Sequence, residues 1–328
     1  MTLTATVAVD VGGTKIRAGS VIDGRLAHLR NVPTPATAGA QAVLDTIAEV
    51  AAAVIAETSG SRGAESDSDF VWRVGIGAAG VVDPATGTVV SATDSLPGWA
   101  GTDVVSELSA RTGFPVRVVN DVHAHALGEA AAGASRGARS SLLVAAGTGI
   151  GGGFIADGHL LTGRNSAAGH IGHVPSAAAA GLACPCGRIG HVEAIASGPA
   201  ILETYRRLAY GSAEPDAVPG PVNTRELAAA ASAGDDLALR AFDIGARALG
   251  SALGGIVNVL SPEGVVIGGG LAEMDDAWWS PLREAFAAEL IPAASGTPLV
   301  KAELGQDAAL IGAAGLWNDQ PAQKMETH

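Results

Sequence analysis

The sequence predicts an α/β fold, and three observations support this class. Short apolar segments with strand character alternate along the chain with longer segments in which apolar residues recur at helical spacing. Such alternation is typical of folds that are built from strand and helix units. Most of the strand segments end in a glycine-rich or acidic turn, and ligands of α/β folds gather at the carboxyl ends of strands.

The first part of the chain is predicted to contain five strands and two helices. The strands are short, mostly apolar runs that stop at turn-forming residues, at 4–10, 15–22, 25–31, 71–77 and 116–119. The strands at 15–22 and 25–31 surround an Asp-Gly turn, which predicts a hairpin. One helix is predicted at 38–58, where apolar side chains share a face, and an alanine-rich helix at about 122–134.

The second part of the chain repeats this outline. Strands are predicted at 141–146, 152–156, 264–267 and 298–302, and the third of them runs into a glycine triplet. A long helical pattern covers 235–260 and ends before a Ser-Pro pair, and a last helix is predicted at 307–317.

The charge balance limits the partners that the protein can bind. The 328 residues include 20 Lys and Arg against 33 Asp and Glu, a net charge of −13. Nucleic-acid binding needs a concentrated positive surface, so no nucleic-acid partner is expected. A phosphorylated metabolite remains compatible, because backbone N–H groups and Mg²⁺ can neutralise phosphate locally.

The sequence also predicts a cytoplasmic protein without a membrane partner. No segment reaches the roughly 18 consecutive apolar residues that span a bilayer, and the first residues lack the pattern of a signal peptide. The two cysteines, Cys184 and Cys186, are separated by one residue. A disulfide across so short a loop would be strained, so reduced thiols are expected.

Three turns are candidates for binding the phosphates of a nucleotide, because glycine lets the backbone approach phosphate oxygens. The candidate residues are Asp10, Gly12, Gly13, Thr14 and Lys15 in the first turn, Gly147, Thr148 and Gly149 in the second, and Gly268 and Gly269 in the third. Asp10 ends a strand and is suited to hold the water shell of Mg²⁺. An ordinary hairpin turn is the alternative for the first of them, whereas the glycine content of 147–153 favours phosphate binding.

An Asn-Asp pair follows the strand at 116–119 and opens a helix. Asp121 is the candidate general base, since phosphoryl transfer to an alcohol requires a group that accepts the hydroxyl proton. The alternative for an aspartate in this place is a helix N-cap.

Four potential metal ligands lie within nineteen residues of one another. His173, Cys184, Cys186 and His191 offer two imidazoles and two thiolates, which make a full tetrahedral set for Zn²⁺. With four protein ligands such a site is closed and structural. The alternative is that these are incidental thiols and surface histidines.

Together these motifs resemble those of the ROK family of sugar kinases and related repressors. The resemblance is carried by 10–15, 147–153, the Gly-His and Cys-x-Cys-Gly segment that ends at Glu193, and the stretch 306–314. It implies a two-lobed, actin-like or hexokinase-like ATPase fold with ribonuclease H-like lobes and an active-site cleft between them. The expected lobes are 1–119 with about 305–328, and 120–304 with a zinc-binding loop at 170–193.

The resemblance also implies ATP, Mg²⁺ and structural Zn²⁺ as cofactors, Asp121 as the base, and a homodimer or homotetramer. The expected sugar contacts are Gly80, Asn120, Asp121, His170, His173 and Glu193, of which all but His170 match the family pattern. His170 is the departure, since it stands where the family usually has a glutamate. Two further departures are His191, which replaces a cysteine ligand, and the segment 94–99, where a family asparagine is altered.

The expected function is an ATP-dependent kinase that phosphorylates the 6-hydroxyl of a hexose or N-acylhexosamine. The run around His170 is similar to that of bacterial N-acetylmannosamine kinases, which makes N-acetylmannosamine the first expected substrate and glucose the alternative. A non-catalytic, sugar-sensing repressor is the alternative of another class. Such repressors carry a helix-turn-helix before the first turn, and only nine residues precede Asp10.

Overall fold

Two five-stranded sheets organise the computed structural model, which describes residues 3–61, 70–93, 96–211 and 220–318. The strands are β1 Leu3–Val11, β2 Lys15–Ile22, β3 Arg25–Pro33, β4 Phe70–Ala78, β5 Val81–Asp83, β6 Thr88–Ser91, β7 Val116–Asn120, β8 Ser141–Ala146, β9 Ile150–Ala156, β10 His159–Leu160, β11 Val265–Gly268 and β12 Leu299–Lys301. The helices are α1 Ala40–Gly60, α2 Val104–Thr112, α3 Asp121–Ala132, α4 Glu193–Ala196, α5 Gly198–Tyr210, α6 Thr224–Ser232, α7 Asp236–Leu260, α8 Asp276–Glu289 and α9 Asp307–Gly315. The predicted α/β class is confirmed.

The chain divides into two compact units. Unit 1 consists of Met1–Gly137, Ile155–Ala168 and Gln306–His328, and unit 2 consists of Ala138–Phe154 and Gly169–Gly305. The predicted lobes place a boundary at residue 120, whereas α3 belongs to unit 1. This difference arises because α3 packs against α9 and β4, which are both in unit 1.

In unit 1 the strand order is β3-β2-β1-β4-β7, with a buried apolar core between the sheet and its helices. β1, β2 and β3 are antiparallel neighbours, whereas β1, β4 and β7 run parallel. In the parallel part Asp10 pairs with Gly77, and Ala78 pairs with Asn120. The carboxyl ends of three strands therefore meet at one edge of the sheet.

Helices α3 and α9 contact each other through their backbones. A Cβ atom built at Gly312 would lie 1.8 Å from the carbonyl oxygen of Ala124, and one at Gly128 would lie 2.0 Å from that of Ala308. No side chain fits at such distances, so both glycines are required by the close approach. Helix α9 thereby joins unit 1, although the rest of that unit lies far earlier in the sequence.

The second sheet has the order β10-β9-β8-β11-β12. Both sheets thus place their first strand in the middle, with the second and third on one side and the fourth and fifth on the other. β8, β11 and β12 run parallel, and β9 and β10 are antiparallel. In unit 2 the long helix α7 packs against α8 and α5.

All the elements that the sequence predicts are present, most of them with shifted ends and two, β2 and β8, with the predicted ends. Strand β9 starts at Ile150 rather than 152, α3 starts at Asp121, and α9 ends at Gly315. Five helices were not predicted, namely α2, α4, α5, α6 and α8. The start of α5 had a readable signal, because Ser197 caps it and Gly-Pro follows, whereas α8 contains an internal Pro281 that conceals its pattern. None of the helices in the described residues combines the length and the apolar character that crossing a membrane requires.

Candidate functional site

The acidic group in unit 1 lies at the edge where β1, β4 and β7 end. Asp10 stands near the end of β1, and Asp121 is the first residue of α3, directly after β7. The backbone of α3 approaches β4 so closely that a Cβ at Gly77 would lie 3.4 Å from the Cα of Asp121. The two carboxyl groups therefore sit on neighbouring elements at one end of the sheet.

Asn120, and not Asp121, caps helix α3. Its Oδ1 accepts hydrogen bonds from the N–H groups of Val122 at 3.0 Å and His123 at 3.2 Å. Its Nδ2 donates to the Gly80 carbonyl oxygen and to Oδ1 of Asp121, both at 2.8 Å. Asn120 therefore fills the N-cap role that was the alternative for Asp121. The second carboxylate oxygen of Asp121 takes no part in these hydrogen bonds.

The pKa of Asp121 is strongly raised. Burial, and to a lesser extent the charge of Asp10, raise this pKa to about 7, against the lowering effect of hydrogen bonds from Val122 and Asn120. The residue is nonetheless partly exposed, so its carboxyl can meet a bound molecule. A carboxyl group with a pKa near neutrality is suited to take up and release a proton.

Asp10 is a second partly buried carboxyl. Burial raises its pKa, and the charges of His125, Arg17 and Lys15 oppose this rise. Burial in turn lowers the pKa of His125, against the charges of Asp10 and Glu129. The sequence analysis missed His125, although its position one helical turn after Asp121 was a readable signal.

The turn between β1 and β2 is held by backbone contacts. The N–H group of Gly12 donates to the Lys15 carbonyl oxygen at 3.0 Å, and Oγ1 of Thr34 donates to the Gly12 carbonyl oxygen at 2.7 Å. Gly13 is partly exposed and Thr14 is exposed at its tip. Nζ of Lys15 donates to Oε1 of Gln306 at 2.8 Å, which ties the turn to the start of α9.

Gly80 requires glycine for two reasons. Its φ is +101°, and a Cβ would lie 2.5 Å from the Ser91 carbonyl oxygen. Nε1 of the buried Trp99 donates to the Ala79 carbonyl oxygen at 3.2 Å and so fixes this turn. The sequence analysis did not predict this role of Trp99. Of the altered segment at 94–99, Asp94 and Ser95 lie outside the described residues.

Two glycine turns of unit 2 lie side by side. Ala145 near the end of β8 pairs with Gly268 at the end of β11, so Gly147 and Gly269 follow neighbouring parallel strands. Gly269 has φ +85°, and a Cβ there would lie 2.4 Å from the Ala146 carbonyl oxygen. The structure thus brings the second and third predicted phosphate turns to one edge of the sheet.

The four predicted metal ligands form one cluster. One donor atom each from His173, Cys184, Cys186 and His191 lies within 4.8 Å of all the others. Sγ of Cys184 is 3.7 Å from Nδ1 of His173, and Sγ of Cys186 is 3.2 Å from Nδ1 of His191. A tetrahedral zinc ion with two sulfur and two nitrogen ligands has edges of about 3.3 to 3.8 Å, so the donor set fits this ion.

The histidine and the thiol of the cluster differ in how burial affects their proton binding. Burial lowers the pKa of His173, which favours the neutral imidazole that a metal ligand needs. Burial raises the pKa of the Cys184 thiol to about 11, so that a bound cation is needed to make it a thiolate. A tight turn shapes the loop, with the Gly187 N–H donating to the Cys184 carbonyl oxygen at 2.9 Å and Gly187 at φ +83°.

The expected sugar contacts of unit 2 adjoin this cluster. The rings of His170 and His173 are nearly parallel, with centroids 6.2 Å apart. Burial lowers the pKa of His173 and the charge of Glu193 opposes this lowering, so the carboxylate and the imidazole are neighbours. The structure therefore groups Gly80, Asn120 and Asp121 in unit 1, and His170, His173 and Glu193 in unit 2.

Comparison with known proteins gives matches along nearly the whole chain. A sequence model described as "ROK family" matches residues 6–320. A glucokinase of Halalkalibacterium halodurans is 34% identical over 327 residues, covering 96% of this chain and 95% of that protein. An N-acetylmannosamine kinase of Citrobacter koseri is 33% identical over 313 residues, covering 94% and 97%.

The fold has a counterpart among solved structures. The crystal structure of a ROK family glucokinase from Streptomyces griseus, in complex with glucose and AMPPNP, has a TM-score of 0.76 and 32% identity. The match covers 95% of this chain and 98% of that one. It agrees with the fold class expected from the sequence motifs.

Proposed function

The chain belongs to the ROK family and is an ATP-dependent carbohydrate kinase, and from this premise we propose that it phosphorylates the 6-hydroxyl of a hexose or N-acylhexosamine. The observation that carries the proposal is the carboxyl group of Asp121. It lies at the carboxyl end of a strand, is held by Asn120 and has a pKa raised to about 7. These are the properties required of the base in phosphoryl transfer to an alcohol.

In this mechanism Asp121 accepts the proton of the sugar hydroxyl while that oxygen attacks the γ-phosphorus. The new O–P bond forms as the bond from the γ-phosphorus to the β,γ-bridging oxygen breaks, and ADP leaves. Asn120 contributes by donating from Nδ2 to Oδ1 of Asp121, which orients the carboxylate. His170, His173 and Glu193 bind the sugar hydroxyls, and Gly80 shapes the turn that contacts the sugar.

The nucleotide is bound by the glycine turns. N–H groups of Gly12, Gly13 and Thr14, and those of Gly147, Thr148 and Gly149, donate to phosphate oxygens, and Lys15 adds positive charge. Gly268 and Gly269 allow the backbone to approach the nucleotide. Asp10 would hold Mg²⁺, since magnesium prefers carboxylate oxygen and retained water. The bound ion supplies charge neutralisation for the phosphates.

A structural zinc ion is assigned to His173, Cys184, Cys186 and His191. The support is the donor set itself, two thiols and two imidazoles within 4.8 Å of one another. His191 takes the place of a cysteine in the family pattern, and imidazole is an accepted zinc ligand. We further expect a cytoplasmic homodimer or homotetramer.

N-acetylmannosamine is the proposed substrate, and glucose is the alternative. The chain is 34% identical to a glucokinase and 33% identical to an N-acetylmannosamine kinase. These identities differ too little to decide between the two sugars as the substrate. His170 favours the N-acyl sugar, because an imidazole replaces a carboxylate acceptor beside the His173 ring. This change weakens acceptance of a hydroxyl donor and suits an N-acyl group.

An ADP-release assay with Mg-ATP against N-acetylmannosamine, N-acetylglucosamine, glucose and mannose tests this proposal. We expect the highest kcat/KM with N-acetylmannosamine, and His170→Glu is expected to shift the preference toward glucose by at least about tenfold. Faster turnover of glucose by the unchanged protein would instead identify a glucokinase. Absence of turnover with every sugar in folded protein would favour a non-catalytic sugar sensor.

The raised pKa of Asp121 predicts a pH dependence of the kinase. Only the ionised carboxylate accepts a proton, so with a pKa of about 7 activity is lost as the pH falls. We expect kcat/KM for the sugar to be about tenfold lower at pH 6 than at pH 8. A profile that stays flat from pH 5 to pH 8 would contradict Asp121 as the base.

A further inference from the structure

Glu193 connects two parts of unit 2 that the proposed function treats separately. Its Oε2 accepts a hydrogen bond of 2.8 Å from the N–H group of Ile150, the residue that follows the 147–149 turn. Its Oε1 lies 3.9 Å from Sγ of Cys184, a member of the metal cluster. One carboxylate therefore touches both the metal cluster and the start of β9.

The 147–149 turn fits closely against the chain around Glu193. A Cβ at Gly149 would lie 2.7 Å from Oε2 of Glu193, so the carboxylate occupies the space of a side chain there. The carbonyl oxygen of Gly147 accepts from the N–H group of Gly198 at 2.8 Å. At the other end of the turn, a Cβ at Gly172 would lie 2.2 Å from the carbonyl oxygen of Ile150.

We propose that Glu193 is a positioning residue that couples the metal cluster to the nucleotide turn. This inference rests on the proposed function, in which residues 147–149 bind ATP phosphates and the cluster holds zinc. A metal bound by Cys184 and His191 restricts the short chain that leads into Glu193, and this chain in turn holds the carboxylate on the Ile150 N–H group. Metal binding thereby pre-orders the glycine turn.

The energetic reason lies in the flexibility of the turn. Two of its three residues are glycines, which lose more conformational freedom on ordering than any other residue. A turn that is already ordered binds its ligand more tightly, because less conformational entropy is lost when the ligand binds. Metal removal is therefore expected to weaken nucleotide binding even when no sugar is present.

Two substitutions separate this role from sugar binding. Glu193→Gln keeps an Oε1 acceptor for the Ile150 N–H group but removes the negative charge that a sugar hydroxyl would meet. Glu193→Ala removes both. Glu203→Ala is the matched control, since Glu203 is an exposed residue of α5 in the same unit, within a 3.9 Å ion pair with Arg206.

The experiment measures the affinity for AMPPNP with Mg²⁺ by calorimetry without sugar, on zinc-loaded and chelator-stripped protein. We expect stripping to weaken binding about tenfold in the unchanged protein, in Glu193→Gln and in Glu203→Ala. Zinc-loaded Glu193→Ala is expected to bind AMPPNP about tenfold more weakly than the zinc-loaded unchanged protein. Stripping the zinc from this variant is expected to weaken its AMPPNP binding little further. Hydrogen exchange at the Ile150 amide is expected to be faster in Glu193→Ala than in Glu193→Gln.

Two results would overturn the inference. One is a stripped wild-type protein that binds AMPPNP as tightly as the loaded protein. The other is a Glu193→Ala protein that loses the full tenfold on stripping, since the coupling would then bypass Glu193. Zinc content and kinase turnover are measured separately. A protein that holds no zinc or has no kinase activity is therefore recognised independently of its AMPPNP affinity and its Ile150 hydrogen exchange.

Discussion

The Asp121→Asn variant is expected to lose about 10³-fold in kcat while still binding the sugar. Asparagine can accept the hydrogen bond that Asn120 donates to Oδ1, so the local geometry is retained. What is lost is the proton acceptor, and general-base catalysis contributes roughly 10² to 10⁴ in rate. The measurement is kcat by ADP release together with the Kd of the sugar by calorimetry.

The stability of the variant provides its control. Asp121 has a folded-state pKa of about 7, above the value of 3.8 for an unperturbed aspartate. Ionisation therefore opposes folding, and the stability contributed by the protonated carboxyl is lost as the pH rises from about 4 through 7. Asp121→Asn is expected to be at least as stable as the original protein at pH 8. Loss of sugar binding or of stability would assign Asp121 a structural role.

The second large effect is expected at the contact between α3 and α9. Gly312→Ala places a Cβ 1.8 Å from the Ala124 carbonyl oxygen and 2.7 Å from the Gly128 backbone nitrogen. Both neighbours are backbone atoms of a helix, so the helices must move apart. We expect a loss of about 3 kcal/mol in the free energy of unfolding, at the upper end for overpacked interiors. A urea titration followed by circular dichroism measures it.

The matched control for this substitution lies in the same helix. At Gly315 an added Cβ meets only Nδ2 of Asn318, at 4.0 Å. Gly315→Ala is therefore expected to be neutral or slightly stabilising, as alanine is the better helix former. Equal urea midpoints for the two variants would show that α9 moves freely against α3, contrary to the backbone contact described above.

Much of the site was predictable because its signals are local. The four cluster residues lie within nineteen positions of one another, and donor types alone indicated the metal. Asp121 was predicted as the base because an Asn-Asp pair follows a strand and opens a helix. The same local pattern could not decide which of the two caps the helix. That decision depends on Asn120, whose amide also bonds the Gly80 carbonyl oxygen, forty residues earlier.

Residues whose roles depend on distant partners were missed. His125 matters because β1 brings Asp10 near it, and Trp99 because its indole reaches Ala79. Helix α9 was predicted at nearly its true place, but its membership of unit 1 was assigned only from the family resemblance. The structure supplies the physical cause, since Arg17 on β2 binds Asp307 at 2.8 Å and Gly312 lies against α3.

The sequence by itself determined the α/β class, the alternation of elements, the glycine turns and the four candidate metal ligands. These follow from periodicity, turn chemistry and donor type, which act over a few neighbouring residues. Only the tertiary structure decided that Glu193 spans from Cys184 to the Ile150 N–H group, and that Gly128 and Gly312 allow two helices to touch. Such contacts join residues far apart in the chain, and close packing, which no local pattern encodes, sets their distances.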